Sequence, residues 1–385
     1  MSHPAAAGLL APPDFAAART RSLAPDLARG LMLLAICLAH VRGFITDWGT
    51  GAVNATAEFA GVYLLDNQAR VMFIVLFGYG LGQLAYRRAA QGAEWTDVRK
   101  LMRRRGFWLL VIGLLHMVLL VPIDFISTYG LTLLLFAGLV RRGDKAILWT
   151  ALATLVLAVG FTAWTEVDLL RRYAAGELSL EMMFTGSYGE HVVLGLGVAS
   201  FKVVLSVFGV VPGMLLGLWA ARRHVLDDPA AHLGLLRGLA FGALGFALAA
   251  RLPYALVQTG HWDAEPGTMW WLSAVLHSAG GYAGGVGGAA LIGLVASRMT
   301  RPGPVATAVA ALGQRSMTFY LFQSAAILVL FYPFTLDLAG DVSMAGSFAV
   351  AFAIWLATLL IAEWMRRAGR RGPFETLLRR LSEKR

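Results

Sequence analysis

The sequence has 385 residues, of which 58% are hydrophobic and only 15% are charged, and its mean hydropathy is +0.65. These values exclude a water-soluble globular protein. The formal charge of +10 does not indicate nucleic-acid binding, because the basic residues fall in short clusters between apolar runs and no nucleic-acid recognition motif is present.

Apolar runs of about 20 residues are long enough to cross a bilayer as α-helices. We predict about ten such spans, at 27–46, 62–86, 106–122, 125–141, 146–164, 197–221, 235–258, 269–297, 314–334 and 346–367. Clusters of Lys and Arg follow alternate spans, and cytoplasmic loops are enriched in these residues. The sequence therefore predicts an all-α integral membrane protein with about ten transmembrane helices and both termini in the cytoplasm.

The predicted domain organisation is simple. Residues 1–22 are interpreted as a flexible cytoplasmic segment, 23–368 as a single membrane domain, and 369–385 as a basic amphipathic tail on the inner leaflet. The only substantial outer loop is predicted at about 165–192, where it would act as a lid or face a substrate. Its acidic residues are Glu166, Asp168, Glu177, Glu181 and Glu190.

Several polar side chains fall inside the predicted spans, where an ionised group costs about 2.5–3.5 kcal/mol on insertion scales. With the N-terminus inside, most of them lie in the outer half of the membrane, which indicates one polar cavity open to the outside. The alternative is that each residue pairs privately with a neighbour or extends to the interface. The set comprises His40, Arg42, Arg70, His116, Tyr129, Arg251, His277 and Gln323, together with Asp124 in the turn between two predicted spans.

Other motifs favour packing over chemistry. The stretch "GGYAGGVGG" at 280–288 lies within a predicted span and follows no strand, so close helix packing explains it better than phosphate binding. No pair of histidines has metal-ligand spacing, and Cys37 is the single cysteine. The sequence therefore predicts neither a metal site nor a disulfide.

Five blocks in order resemble the YeiB-like family of bacterial multi-pass membrane proteins, whose function is poorly known. The resemblance covers nearly the whole chain and implies a bacterial cytoplasmic membrane protein. The blocks are Asp26 with Arg29-Gly30, "FIVLFGYG" at 73–80, the 103–135 hairpin with His116, Asp124 and Tyr129, "LGQRSMTFYLFQS" at 312–324, and "RRGPFETLLRR" at 370–380.

That family is similar to a broader group of transmembrane acyltransferases, which are bundles of ten or eleven helices. Members transfer an acyl group from cytoplasmic acyl-CoA to an acceptor on the outer side. The polysaccharide acyltransferases carry D-x-x-R-G and a catalytic histidine fourteen positions after the Asp. Here Asp26 and His40 have that spacing, although many YeiB-like proteins have Asn at this position.

The resemblance implies a membrane acyltransferase with acetyl-CoA as the expected donor, no metal, and a small-molecule or glycan acceptor; it leaves a homodimer open. His40 would be the general base or transient acyl carrier, with His116 and Asp124 on the facing wall. The substrate contacts would be Arg70, Tyr129, Arg251, His277 and Gln323. Acyl-CoA would be held at the cytoplasmic end by Asp26, Arg29, Arg103, Arg104, Arg105 and Arg315.

Arg29 and His40 are separated by about 16 Å along a helix, a distance that an extended coenzyme A arm would span. The simpler interpretation makes Asp26 and Arg29 an i,i+3 pair and His40 an interface residue. Two other functions stay open. A transporter or exporter of a small polar or anionic solute would use the same cavity, and a non-catalytic scaffold or sensor would tolerate replacement of His40 and His116.

Overall fold

The computed structural model describes residues 22–175 and 184–383. Helices are the regular secondary structure of the described residues, which contain no strand, and this confirms the predicted fold class at this level. The helices are α1 (Leu23–Val41), α2 (Ala52–Ala60), α3 (Gln68–Ala90), α4 (Trp95–Leu119), α5 (Ile126–Phe136), α6 (Asp144–Ala174), α7 (Tyr188–Arg222), α8 (Leu233–Arg237), α9 (Leu244–Gln258), α10 (Thr268–Ser297), α11 (Pro304–Gly313), α12 (Ser316–Phe331), α13 (Met344–Arg367) and α14 (Pro373–Glu383).

Within the described residues, seven helical segments are long and apolar enough to cross a membrane, which indicates a multi-pass membrane protein. Three predicted spans, at 106–122, 125–141 and 314–334, correspond to α4, α5 and α12, which are not long and apolar enough to count as spanning helices. In α4 the arginines at 103–105 interrupt the apolar run, while α5 and α12 are short. A total of ten spans and the cytoplasmic position of both termini therefore stay predictions.

The bundle is organised around α1, α3 and α10. The first helix packs against α11 and α13, while α3 packs against α7 and α10. Helices α4 and α5 form a hairpin, as do α9 and α10. Glycines allow the closest of these contacts: a Cβ on Gly78 would lie 2.1 Å from the Met214 carbonyl oxygen of α7, so only glycine fits there.

Two predicted boundaries are wrong in informative ways. The span predicted at 62–86 is interrupted: a π-helical turn (Gly61–Leu65) follows α2, and Asn67 has φ of 61° before α3 begins. The described part of the loop predicted at 165–192 is helical at both ends, because α6 continues to Ala174 and α7 begins at Tyr188. Glu177 and Glu181 lie outside the described residues, as do residues 1–21 of the predicted N-terminal segment.

The C-terminal helix α14 packs against α4 and α12. Leu378 is buried in the main apolar core, whereas Leu377 is 42% exposed. The predicted amphipathic helix therefore forms, with Leu378 directed into protein.

Candidate functional site

A cavity of about 510 Å³, which we call the inner cavity, lies at the end of the bundle where α1 and α12 begin. This volume is typical of small-molecule sites. Asp26 and Arg29 line it near the start of α1, and Tyr129 and Tyr320 line it at greater depth. The cavity therefore extends along α1 from the charged end of the helix towards the middle of the bundle.

The inner cavity has a strongly charged wall. Arg29 contacts Asp26 at 3.2 Å and donates to the Leu76 carbonyl at 3.3 Å. The i,i+3 pair of the simpler interpretation therefore exists, but it also faces the cavity. The charged lining consists of Asp26, Arg29, Arg87, Arg105, Glu375, Arg379 and Glu383.

The tail closes one side of this cavity. The Glu375 carboxylate accepts hydrogen bonds from the Met317 and Thr318 amides at 2.8 and 3.2 Å, and from the Thr318 hydroxyl at 2.5 Å. These amides belong to the first turn of α12, where backbone donors have no helical partner. Glu375 therefore caps α12 from a distant part of the chain and joins the tail to the cavity wall.

A second cavity of about 1050 Å³, which we call the outer cavity, lies on the other side of the bundle centre. It is lined by the end of α1, the α2–α3 connection, α6 and α7. Arg42 pairs with Asp66 there, while Arg70 donates to the Asn67 side chain and lies over the Phe125 ring at 5.8 Å. Both charged and aromatic side chains therefore face this space.

A thin layer of aromatic side chains separates the two cavities, and we call Phe73, Phe125, Tyr129 and Tyr320 the aromatic septum. Phe125 lines the outer cavity and the other three line the inner one. The Phe73 ring lies 5.4 Å from that of Tyr129 and 6.3 Å from that of Tyr320. Arg70 in the outer wall precedes Phe73 by three residues, about 4.5 Å along α3. The cavities thus approach each other closely.

Both candidate catalytic histidines lie at the septum. The His40 ring is 6.2 Å from the Tyr320 ring, and Ala39 beside it lines the outer cavity. The His116 ring is 5.2 Å from the same Tyr320 ring. The structure therefore brings together two of the three predicted catalytic residues around a tyrosine.

Asp124, the third, holds His116. Its Oδ1 lies 3.0 Å from His116 Nδ1 with both side chains fully buried, although the ring N–H is not aligned for a straight hydrogen bond. Nε2 of His116 has no hydrogen-bond partner among the described residues. A carboxylate at Nδ1 favours the tautomer with its proton on that atom, which leaves Nε2 able to accept a proton.

The α4–α5 hairpin surrounds the Asp124 carboxylate with hydrogen-bond donors. Asp124 accepts from the Ile126 and Ser127 amides at 3.0 and 2.7 Å and from the Ser127 hydroxyl at 2.6 Å. Burial acts to raise the pKa of this carboxyl, but the contact with His116 and the Ser127 donors outweigh burial and hold the pKa below its usual value. A Cβ on Gly113 would lie 2.0 Å from the Ser127 nitrogen, so glycine is needed for this approach.

Three predicted substrate contacts line neither cavity. Arg251 is 1% exposed, and its guanidinium donates to Gln68 Oε1 at 2.8 Å and to the Val62 carbonyl at 3.1 Å. His277 is buried with its ring 4.4 Å from that of Tyr254. Gln323 is buried, and its amide has no partner among the described residues. Of the predicted substrate contacts, the structure brings Arg70 and Tyr129 to the cavities.

The predicted coenzyme A contacts divide in the same way. Asp26, Arg29 and Arg105 line the inner cavity. Arg103 and Arg104 are exposed on α4 and do not line it. The Arg315 guanidinium donates to the Ala311 and Arg370 carbonyls at 2.8 and 2.6 Å, so it fastens α11 to the segment before α14.

Sequence reasoning missed three residues of the site. Tyr320 and Glu375 lie inside quoted blocks, at the tyrosine of "LGQRSMTFYLFQS" and the glutamate of "RRGPFETLLRR", so a signal existed. Lys202 lies within an apolar run, and no sequence motif marked it as a site residue. Its Nζ donates to the Pro122 carbonyl at 2.9 Å, and it lines the outer cavity.

The arrangement places two histidines, which can accept or donate a proton, beside the septum between the inner and outer cavities. A thioester in one cavity and a polar substrate in the other would approach them from different sides. The arginines of the inner cavity could hold a phosphorylated cofactor through their planar donor groups. Among the described residues, no group of three His, Cys, Asp or Glu side chains could hold a metal ion.

Residues 220–385 match the model of a family described as a protein of unknown function (DUF418). The matched part runs from the end of α7 through α14 and includes Tyr320 and Glu375, but not His40, His116 or Asp124. No curated protein matches the chain. The match supports a family of unknown function and gives no information about activity.

Proposed function

We propose that this protein is a membrane-embedded acyltransferase that moves an acyl group, expected to be acetyl, from acyl-CoA in the inner cavity to a hydroxyl or amine in the outer cavity. The observation that carries the proposal is the pair of cavities on either side of the aromatic septum, with His40 and the His116–Asp124 pair packed near Tyr320 of that septum although none of the three lines a cavity. The resemblance of five sequence blocks to YeiB-like proteins and to transmembrane acyltransferases supports it. The same resemblance assigns the protein to a bacterial cytoplasmic membrane, with the inner cavity facing the cytoplasm.

The donor would lie along α1. Coenzyme A phosphates would contact Arg29 and Arg105, and the pantetheine arm would extend through the inner cavity to place its thioester at the septum. The distance of about 16 Å between Arg29 and His40 suits an extended arm. Arg87 and Arg379, which also line this cavity, would add to the positive wall.

The acceptor proton would go to His116. Asp124 fixes the proton on Nδ1, and the unpartnered Nε2 can then act as general base. The acceptor oxygen or nitrogen attacks the thioester carbonyl, the carbon–sulfur bond breaks, and the proton passes on to the coenzyme A thiolate. His40, whose ring lies 6.2 Å from that of Tyr320, would serve as the second base or as a transient acyl carrier.

The experiment uses purified protein in nanodiscs with acetyl-CoA, comparing the wild type with His40→Ala, His116→Ala and Arg29→Ala. We expect slow thioester cleavage that is lost in both histidine variants while acetyl-CoA binding is retained, and weaker binding in Arg29→Ala. A folded protein that binds neither acetyl-CoA nor longer acyl-CoAs would refute the proposal.

A transporter or exporter is the second candidate, and one further contact favours it. The Tyr254 hydroxyl donates to Glu166 at 2.6 Å, and His277 stacks on Tyr254, so titratable groups from α6, α9 and α10 form a row beside the outer cavity. Such rows carry protons in coupled transporters. Solute uptake into vesicles that responds to a proton gradient, without thioester cleavage, would favour this function.

A further inference from the structure

The mouth of the outer cavity lies on the side of the bundle. Three apolar side chains both line this cavity and are exposed on the protein surface: Leu169 is 42% exposed, Phe201 57% and Leu205 41%. Leu169 belongs to α6 and the other two belong to α7. A side chain that faces both a cavity and the surface marks an opening, so the outer cavity opens between α6 and α7.

The surface around this opening is apolar. Val156 and Trp164 on α6 are 66% and 54% exposed, and Val204 and Phe208 on α7 are 58% and 48% exposed. Both helices are long and apolar enough to span a membrane. Exposed apolar side chains on spanning helices contact lipid. The opening between α6 and α7 therefore leads into the bilayer, so a molecule already in the membrane can reach the cavity from the side.

Inside the cavity, two cations lack an acidic partner. Arg70 donates to the Asn67 amide oxygen, and Lys202 donates to the Pro122 carbonyl. Neither has a carboxylate within 4.0 Å among the described residues, whereas Arg42 pairs with Asp66. Asp124 interacts with Lys202 and Glu166 with Arg70 only over a longer distance. A cation at membrane depth without a directly paired counter-charge is costly, and an incoming anion offsets that cost.

The acids of the cavity lie with other partners. Glu166 accepts a hydrogen bond from Tyr254, and Asp66 pairs with Arg42. Glu58, which lines the cavity from α2, also interacts with Arg42. The side of the cavity near the septum thus presents Arg70, Lys202 and the Phe125 ring. An anionic group is the ligand that fits this side.

We infer that the acceptor is an anionic membrane lipid whose head group carries a hydroxyl or amine, and that it reaches the septum through the cleft between α6 and α7. This inference rests on the proposed acyl transfer. The anionic group of the lipid lies at Arg70 and Lys202, and its hydrocarbon chains lie against Phe201 and Leu205. The acceptor oxygen forms a bond to the acyl carbon as the carbon–sulfur bond breaks. Its proton passes through His116 to the thiolate, and the products are the acylated lipid and coenzyme A.

Lipid binding tests this inference without requiring acyl transfer. The protein is purified, exchanged into nanodiscs that contain phosphatidylglycerol and phosphatidylcholine, and analysed for retained lipid by native mass spectrometry. Phosphatidylglycerol carries both a phosphate and free hydroxyls. We expect the wild type to retain it in preference to phosphatidylcholine, Leu205→Trp to retain at least tenfold less, and Lys202→Gln to lose the preference.

Val204→Trp is the matched control, because Val204 is adjacent, more exposed and outside the cavity lining. It should retain lipid as the wild type does. Equal retention by Leu205→Trp and Val204→Trp, or no preference for phosphatidylglycerol in the wild type, would overturn the inference.

The acyl-transfer arm separates the two proposals. Labelled acetyl-CoA is supplied to proteoliposomes with phosphatidylglycerol, and in parallel with soluble glycerol phosphate. Label in the lipid that Leu205→Trp abolishes supports the inference. Label only in the soluble ester overturns it but leaves the acyltransferase proposal standing. Absence of binding to both acetyl-CoA and longer acyl-CoAs refutes the acyltransferase, whichever lipids are retained.

Discussion

His116 Nδ1 lies 3.0 Å from Asp124 Oδ1, and both side chains are fully buried. If Asp124 fixes the tautomer of His116, Asp124→Asn should reverse the favoured tautomer, because an amide NH2 that replaces Oδ1 donates to His116 Nδ1. The remaining amide oxygen can keep the two Ser127 hydrogen bonds, while the Ile126 amide loses its acceptor. We expect thioester cleavage to fall about 10²–10⁴-fold with acetyl-CoA affinity unchanged. Steady-state cleavage and calorimetric binding measure the two effects, with Asp97→Asn as an exposed control on α4.

Arg29 should contribute to acetyl-CoA binding because its side chain lines the inner cavity. Loss of one charge-assisted hydrogen bond costs about 1.5–3 kcal/mol, so Arg29→Ala should raise the Kd roughly 10- to 100-fold. Arg103→Ala is the control, since Arg103 is exposed and does not line the cavity. Equal effects of the two substitutions would show that only the general positive charge matters.

Gly113 should be intolerant of a side chain. Its added Cβ would meet the Ser127 nitrogen at 2.0 Å and Asp124 Oδ2 at 2.7 Å, so Gly113→Ala must separate α4 from α5. We expect a loss of about 1–3 kcal/mol in the free energy of unfolding. Gly160→Ala, where nothing lies within 4 Å, should be neutral or slightly stabilising. Thermal unfolding in detergent compares them, and an equally stable Gly113→Ala variant would contradict the close approach.

Arg251 should act on stability and not on substrate. Its guanidinium binds Gln68 and two backbone carbonyls of the α2–α3 connection, at Val62 and Asp66. Arg251→Met should leave buried acceptors without a donor, at about 1–3 kcal/mol for each. We expect a lower unfolding temperature with unchanged acetyl-CoA affinity. If Arg251→Met kept the unfolding temperature of the wild type but bound acetyl-CoA with a changed affinity, Arg251 would be a substrate contact, as the sequence predicted.

Glu375 should stabilise the start of α12. Glu375→Ala removes the acceptor of the Met317 and Thr318 amides, and loss of a helix cap costs about 0.5–2 kcal/mol. Hydrogen–deuterium exchange at these two amides should accelerate. Glu363→Ala removes an acid that pairs on the surface with Arg366 and Arg367, and should leave exchange at 317–318 unchanged. Protected amides in Glu375→Ala would show that another group caps α12.

Much of the helical layout follows from hydropathy, since α10 and α13 begin and end within about two residues of the predicted spans. The interruption between α2 and α3 at Asp66 and Asn67 does not follow from hydropathy. Its cause is tertiary: Asp66 pairs with Arg42, and Arg251 binds the turn from α9. Hydropathy averages over a window and contains no information about partners distant in sequence.

The sequence did not show which faces of the helices form the site. His40, His116 and Arg251 are all predicted in the outer half of the membrane, yet the first two meet at Tyr320 and the third binds the α2–α3 connection. A position along a helix gives height in the membrane, whereas the face of the helix that a residue occupies depends on how the bundle packs. Lys202 was overlooked because its run is otherwise apolar.

The hydrogen bond between the Met317 amide and Glu375 joins residues 58 positions apart in the chain. At ribosomal rates of about 5–20 residues per second, Glu375 is made roughly 3–12 s after Met317. During that interval α12 has been synthesised but the native acceptor of its first amides has not, and the wall of the inner cavity is unfinished. The nascent protein therefore assembles its inner vestibule late, after most of the helices that surround it have been synthesised.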